Sequence, residues 1–242
     1  MFSWFKSKPL ADQPLLVDMH SHLLPGLDDG VKNFEEAEII IRAFSKLGYQ
    51  KLITTPHIMS DAYRNTPAII NQKLTELKQH LKTKDISIDI QAAAEYYLDE
   101  HLMECLVLDQ PLLTFGNKYL LFETPFLAEP FQLKDFIFTA ATKGYKVILA
   151  HPERYLYLQH NLNKAQDLLD RGVLFQVNIS SITGHYSKEV QKMAFTLIDR
   201  GWVHWLGSDC HHLQHAKLVE QAATMRYFRK ALTLPLLNNS IL

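Results

Sequence analysis

Charge of one sign is missing from this chain. Its 25 Lys+Arg against 26 Asp+Glu leave a formal net charge of −1 over 242 residues, a balance that argues against a general nucleic-acid binder, which shows a basic excess or patch. Cysteine is nearly absent. Cys105 and Cys210 alone give no disulfide framework and suit a reducing, cytoplasmic setting. Long apolar runs are absent as well: nothing approaches the roughly 20 residues of a membrane helix, so no transmembrane segment is expected. The apolar patch in Met1–Pro9 is too short for a signal-peptide core, and no small-residue cleavage pattern follows it. No Pro/Gly/Ser-rich linker or low-complexity run divides the sequence. The expectation is a short N-terminal extension, residues 1–14, then one domain, residues 15–242, with Phe2, Trp4 and Phe5 packing on that domain or on a neighbour. Nothing in the sequence decides against a homo-oligomer.

What is present is ordinary for a globular protein, 47% apolar and 21% charged, with enough length for a full core. Short apolar runs alternate with longer stretches of helical period. Strands are expected at Leu15–His20, Lys51–Thr55, Ile86–Ala94, Tyr119–Glu123, Lys146–Ala150, Leu174–Ile179 and Val203–Gly207. Helices are expected at Asn33–Leu47, with Asn33 and Glu36 as a capping box, and at Thr66–Lys82, with Pro67 in the first turn. Four more are expected at Phe131–Lys143, Leu162–Arg171, Ser187–Arg200 and His215–Leu232. This alternation means an α/β fold of parallel strands with crossover helices, and the near-continuous apolar strands are covered on both faces. Seven units fit a closed or nearly closed barrel better than an open sheet, although periodicity alone leaves a doubly wound sheet open.

Twelve histidines are many for this length, and their placement is uneven. The stretch VDMHSHLLPGLDDG, Val17–Gly30, puts His20 and His22 two apart, on one face of an extended segment. The second expected strand ends at Thr55-Pro56-His57, the third at Glu95, the fourth at Glu123 and the fifth at His151-Pro152-Glu153-Arg154. The seventh ends at Ser208-Asp209-Cys210-His211. Six of seven strands thus deliver His, Asp or Glu at the rim where barrel active sites form. Imidazole with carboxylate and no cysteine pairs selects Mn, Fe or Zn. Eight candidates (His20, His22, His57, Glu95, Glu123, His151, Asp209, His211) are too many for one ion and suit two or three that share a carboxylate and a hydroxide, an arrangement fitted to displacement at phosphorus. Arg154 is the expected phosphate fork, because a guanidinium binds two phosphate oxygens in one plane; its bland alternative is an ion pair with Glu153. Asp28 and Asp29 are either further ligands or turn residues before Gly30. His80, His101, His160, His185, His204 and His215 read as structural or solvated, His212 as no more than a neighbour of the ligands, and Cys210 as a small buried residue.

These motifs resemble the polymerase-and-histidinol-phosphatase (PHP) superfamily. The order DMHSHLLPGLDDG, TTPHI, AAEYY, LFETPF, AHPERY, GSDCHH resembles more specifically the CpsB/CapC-type tyrosine-protein phosphatases of bacterial capsule and exopolysaccharide systems, from about Leu15 to Leu232. The resemblance implies a distorted (β/α)7 TIM-like barrel, a cluster of two or three ions with Mn foremost and Fe or Zn as alternatives, and a phosphotyrosine substrate. That substrate would be the C-terminal tail of an autophosphorylating bacterial tyrosine kinase. It also implies one ion on His20, His22, Glu95 and Asp209, a second on Glu95, Glu123 and His151, and a third on His57 and His211. Two departures stand out. Relatives often carry an arginine seven residues past the final-motif Asp, where this chain has Ala216 with Lys217 beside it, making Lys217 an expected substitute phosphate group. The loop Ile58–Asn65 lacks the second histidine common after TPH.

The mechanism expected is attack on phosphorus by hydroxide held between the ions, with Arg154 and the Asp209 network assisting and a phenol as leaving group. Cysteine phosphatases need Cys-x5-Arg, and the positions six beyond Cys105 and Cys210 are Pro111 and Ala216; dehalogenase-type phosphatases need Asp-x-Asp, which does not occur. A PHP phosphoesterase of small molecules and a non-catalytic kinase-binding regulator are the alternatives. An amidohydrolase, with its lysine-based bridge or different motif order, fits less well.

Overall fold

The computed structural model describes residues 14–242, so most of the expected N-terminal extension, with Phe2, Trp4 and Phe5, lies outside the described residues. Among the described residues there are nine strands: β1 Val17–Asp18, β2 Lys51–Thr54, β3 His57–Ile58, β4 Asp89–Ala92, β5 Glu95–Tyr97, β6 Tyr119–Glu123, β7 Lys146–Ala150, β8 Leu174–Asn178 and β9 Trp205–Gly207. Between them run α1 Phe34–Lys46, α2 Pro67–Thr83, α3 Glu100–Val107, α4 Leu133–Thr142, α5 Leu156–Gln159, α6 Leu162–Asp170, α7 Ile179–Ile182, α8 Lys188–Asp199, α9 Leu213–Ala223 and α10 Arg226–Ala231. All strand pairs are parallel, in two sheets ordered β1-β2-β4 and β3-β5-β6-β7-β8-β9. The α/β class read from the alternation is the class observed.

Two expected strands are interrupted. Lys51–Thr55 stops at Thr54 because Pro56 has no N–H to give a ladder, and the extended chain resumes as β3. Ile86–Ala94 shortens to β4, and β5 begins at Glu95. Hydrogen bonds cross both breaks, from Ala93 N–H to Thr54 C=O (2.9 Å) and from Glu95 N–H to Pro56 C=O (3.2 Å). At the other end, a parallel bridge joins Ser21 to Cys210, with Asp209 N–H on His20 C=O (2.8 Å) and His22 N–H on Cys210 C=O (2.9 Å). Side chains fasten the same seam. Asp18 accepts from Ser208 N–H (2.8 Å) and Ser208 Oγ (2.6 Å), and Asn238 bonds both Val17 C=O and Leu206.

Strand alternation sorts the core into two layers. Val17, Met19, Ile53, Ala93, Leu121, Ile148, Ala150 and Trp205 form one cluster drawn from both sheets. Leu52, Leu120, Phe122, Leu149, Phe175, Val177 and Leu206 face the helices. Helix starts follow their caps: Asn33, Thr66, Asp99 and Ser187 each accept from the N–H three residues on. α3 was not expected, since eight residues carry little periodicity, and the expected His215–Leu232 helix is two, broken at Thr224-Met225.

Candidate metal centre

Each candidate ligand stands at or just past the C-terminal end of a strand. His20 and His22 follow β1, Glu123 ends β6, His151 follows β7, and Asp209 and His211 follow β9; His57 and Glu95 open β3 and β5, immediately beyond the breaks after β2 and β4. Glu95, fully buried, collects four imidazoles: His20 Nε2 at 3.1 Å, His22 Nε2 at 3.4 Å and His57 Nδ1 at 3.2 Å on Oε2, and His151 Nε2 at 3.1 Å on Oε1. Asp209 Oδ1 lies 3.5 Å from His20 Nε2 and 3.4 Å from His22 Nε2. Glu123 Oε1 is 3.2 Å from His57 Nδ1 and its Oε2 is 3.9 Å from His151 Nε2. Asp29 Oδ1 reaches His57 Nε2 at 3.5 Å and His211 Nε2 at 3.3 Å. Three groups have donor atoms close enough to share a cation: His20, His22 and Glu95; His57, Glu95 and Glu123; and His22, Asp29, His57 and His211.

The far sides of two rings are pinned, which sets the tautomer that faces inward. His20 Nδ1 pairs with Gln176 Oε1 at 2.8 Å, and His22 Nδ1 with Asp28 Oδ2 at 2.7 Å. Those contacts leave the two Nε2 atoms 3.3 Å apart and facing the carboxylates of Glu95 and Asp209, a place where a cation can be shared. His57 Nδ1 is buried beside two carboxylates and His151 Nδ1 is also buried, yet neither has a hydrogen-bond partner among the described residues. The donor set and these unpaired nitrogens fit hard or borderline divalent ions.

Electrostatics points the same way. Burial pulls His20 down, but Glu95 and Asp209 outweigh it and lift the imidazole to about 9. Burial pushes Glu95 and Asp209 up, and the surrounding imidazoles hold both well below the usual carboxylate range. His151 and Asp209 also carry left-handed backbones (φ 36° and 50°), strain that the surrounding structure must hold in place.

The centre opens into a cavity of about 430 Å³ lined also by Tyr63, Phe126, Tyr186 and Arg154. The Arg154 guanidinium lies 4.6 Å from the Phe126 ring centre and 4.5 Å from that of Tyr186, with Nη1 3.4 Å from Asp209 Oδ2. It does not pair with Glu153, which is buried and accepts from Ser181 Oγ (2.6 Å) and Asn178 N–H (2.9 Å).

All eight expected ligands and Arg154 therefore converge. The two aspartates divide: Asp28 grips His22 and the His57 N–H (3.0 Å), and Asp29 faces the rings of His57 and His211. Lys217 is exposed on α9 and is not among the residues lining the cavity, and Ala216 beside it is buried. Cys210 is buried. His212 and His215, read as neighbouring or structural, line the cavity instead. Sequence reasoning missed Gln176 and Asn178, which links Gln176 (2.8 Å) to Asp209 (2.7 Å). Their i, i+2 spacing on β8 repeats that of His20 and His22 and was the available signal.

The description "Capsular polysaccharide synthesis, CpsB/CapC" belongs to the family model that matches residues 16–232. Tyrosine-protein phosphatase YwqE of Bacillus subtilis (strain 168) is 27% identical over 208 residues, which is 86% of this chain and 82% of YwqE. A solved structure from work on YwqE and on CpsB of Streptococcus pneumoniae, described as unique metal-dependent tyrosine phosphatases, superposes with a TM-score of 0.80 at 25% identity over 89% of each chain. An amidohydrolase from Mycoplasma synoviae shares the fold alone, with a TM-score of 0.55 at 9% identity over 97% of this chain and 88% of its own.

Proposed function

This chain belongs to the CpsB/CapC family of capsular polysaccharide synthesis proteins, and on that premise we propose that it is a metal-dependent tyrosine-protein phosphatase acting in capsule or exopolysaccharide synthesis. The observation that carries the reading is Glu95 at the centre of four imidazoles, an arrangement without purpose in a core and suited to a carboxylate shared between ions. The tyrosine-protein phosphatases it is similar to support the activity.

In this reading residues 15–242 form one catalytic domain, a distorted (β/α)7 barrel; the core cluster shared by the two sheets and the Ser21–Cys210 seam support it. His20, His22, Glu95 and Asp209 would hold one ion, and Glu95, Glu123 and His151 a second. His57 and His211, with Asp29, would hold a third. When bound, ions of the Mn, Fe or Zn kind supply positive charge toward the phosphoryl oxygens and lower the pKa of water. Arg154 offers two coplanar N–H donors to the phosphoryl group, and its aromatic neighbours keep that plane fixed. Asp28 and Gln176 keep the outer nitrogens of His22 and His20 protonated. The leaving phenol, with a pKa near 10, departs as an anion with little help from an acid. The substrate is read as a phosphotyrosine in the C-terminal tail of a cytoplasmic-side bacterial tyrosine kinase.

The test is turnover of para-nitrophenyl phosphate and a phosphotyrosine peptide after chelation, with Mn, Fe and Zn added back singly alongside metal analysis. Activity should vanish on stripping and return with at least one ion, and Asp209→Asn should lack it while folding normally. Undiminished turnover in the stripped protein or in that variant contradicts the proposal.

A further inference from the structure

The catalytic cavity has a neighbour. Asp29, His211 and His212 line both it and a second pocket of about 440 Å³ whose remaining walls include Ile39, Ile40 and Leu213. Ile40 is buried, but Ile39 on α1 is 51% exposed and Leu213, the first residue of α9, is 39% exposed. Two partly exposed apolar side chains from different helices thus line a pocket that shares a wall with a cluster of charges. Leaving them uncovered has a solvation cost that an apolar group seated there removes. The pocket is also pre-formed. Asn33 caps α1, and Glu36 accepts from the Lys32 N–H at 2.8 Å, fixing the loop that leads into it.

We propose that this pocket is a substrate subsite, receiving an apolar side chain close in sequence to the phosphotyrosine of an extended protein segment. The inference rests on the phosphatase reading and adds to it a preference for sequence around the phosphorylated residue. Its continuity with the catalytic cavity identifies the occupant. A segment whose phosphorylated side chain reaches the cluster must run across the rim, and extended chain advances roughly 3.3 Å per residue. A residue one to three positions away therefore passes over the shared Asp29–His211 wall. A small phosphate ester has no group to place there, so the pocket separates protein substrates from small ones without touching the chemistry.

The experiment uses phosphotyrosine peptides carrying Leu or Glu in turn at each of the three positions on either side, with para-nitrophenyl phosphate as the small substrate. The metal-loaded wild type, Ile39→Glu and Leu213→Gln are compared. At one flanking position Leu should exceed Glu by roughly tenfold in kcat/KM, expressed in KM. Ile39→Glu and Leu213→Gln should abolish that preference and leave para-nitrophenyl phosphate turnover within about twofold of wild type. Equal peptide kinetics across the series, or losses shared by peptide and small ester, would overturn the subsite. Should the wild type hydrolyse neither substrate, the phosphatase reading fails by itself, and anisotropy of the labelled peptides still decides the pocket. Weaker binding to Ile39→Glu supports it, and unchanged binding rejects it.

Discussion

Arg154 is held by three contacts of different kinds: the faces of Phe126 and Tyr186 and the carboxylate of Asp209. The stack suits a flat, weakly hydrated guanidinium and not a compact ammonium. Arg154→Lys should therefore keep the charge but lose the plane, lowering kcat/KM for aryl phosphate roughly tenfold, mostly through KM. An unchanged KM, read from initial rates, would place the arginine outside phosphate binding. At this scale the sequence was informative where side chains carry distinctive chemistry. The rings of His20, His22 and His57 and the carboxylate of Glu95 announced themselves by type and position. Gln176, Asn178 and Asp18, which hold those groups or the seam beneath them, are buried polar residues whose partners come from distant segments, and no local pattern names such partners.

Elements set where those side chains stand, and two tests belong here. The loop after His22 turns back so closely that a Cβ on Gly30 would lie 2.3 Å from the His22 carbonyl oxygen and 2.6 Å from its Cβ. Gly30→Ala must displace His22, and a shift near 1 Å should lower kcat/KM by roughly 100-fold; wild-type rates with a bound complement of metal would refute the tight approach. On the edge between β8 and β9, His204 Nδ1 accepts the Phe175 N–H at 3.1 Å, and burial lowers its pKa below 6.5. The neutral ring is the folded form, so its contribution is complete above the unfolded value and is lost as pH falls toward the lowered one. Urea midpoints should thus drop less from about pH 7 to about pH 5 in His204→Asn than in the wild type, and identical drops would show that this ring does not couple folding to pH. Caps at Asn33, Thr66 and Ser187 were legible because an N-cap is a short-range device. The breaks at Thr55-Pro56 and Ala93-Ala94 were only half legible: the proline was visible, but the second break lies beside the first through sheet pairing.

At the scale of the molecule, the centre joins what the two sheets leave separate. Its donors come from β3, β5 and β6 of one sheet and from the segments following β1, β7 and β9, so ions bound there would cross-link chain positions nearly 190 residues apart, from His20 to Asp209. A ligand that binds only the folded state at about 100 times its Kd adds about 2.7 kcal/mol. Loading the stripped protein should therefore raise its Tm by roughly 5–10 °C. A Tm indifferent to Mn, Fe and Zn in calorimetry would count against a cluster built into the fold. Among the described residues no helix is long and apolar enough to cross a membrane.

The sequence by itself determined the α/β class, the order of elements and the inventory of groups for the centre, because side-chain alternation, helical period and capping act over a few residues. Tertiary structure alone decided which nitrogen of each imidazole faces inward and that Asp28 and Asp29 serve different rings. It also withdrew Lys217 to the surface and placed Ile39 and Leu213 in one pocket beside the cavity. Those outcomes depend on hydrogen bonds and contacts between segments far apart in the chain, and their energies exist only once folding has brought the partners within reach.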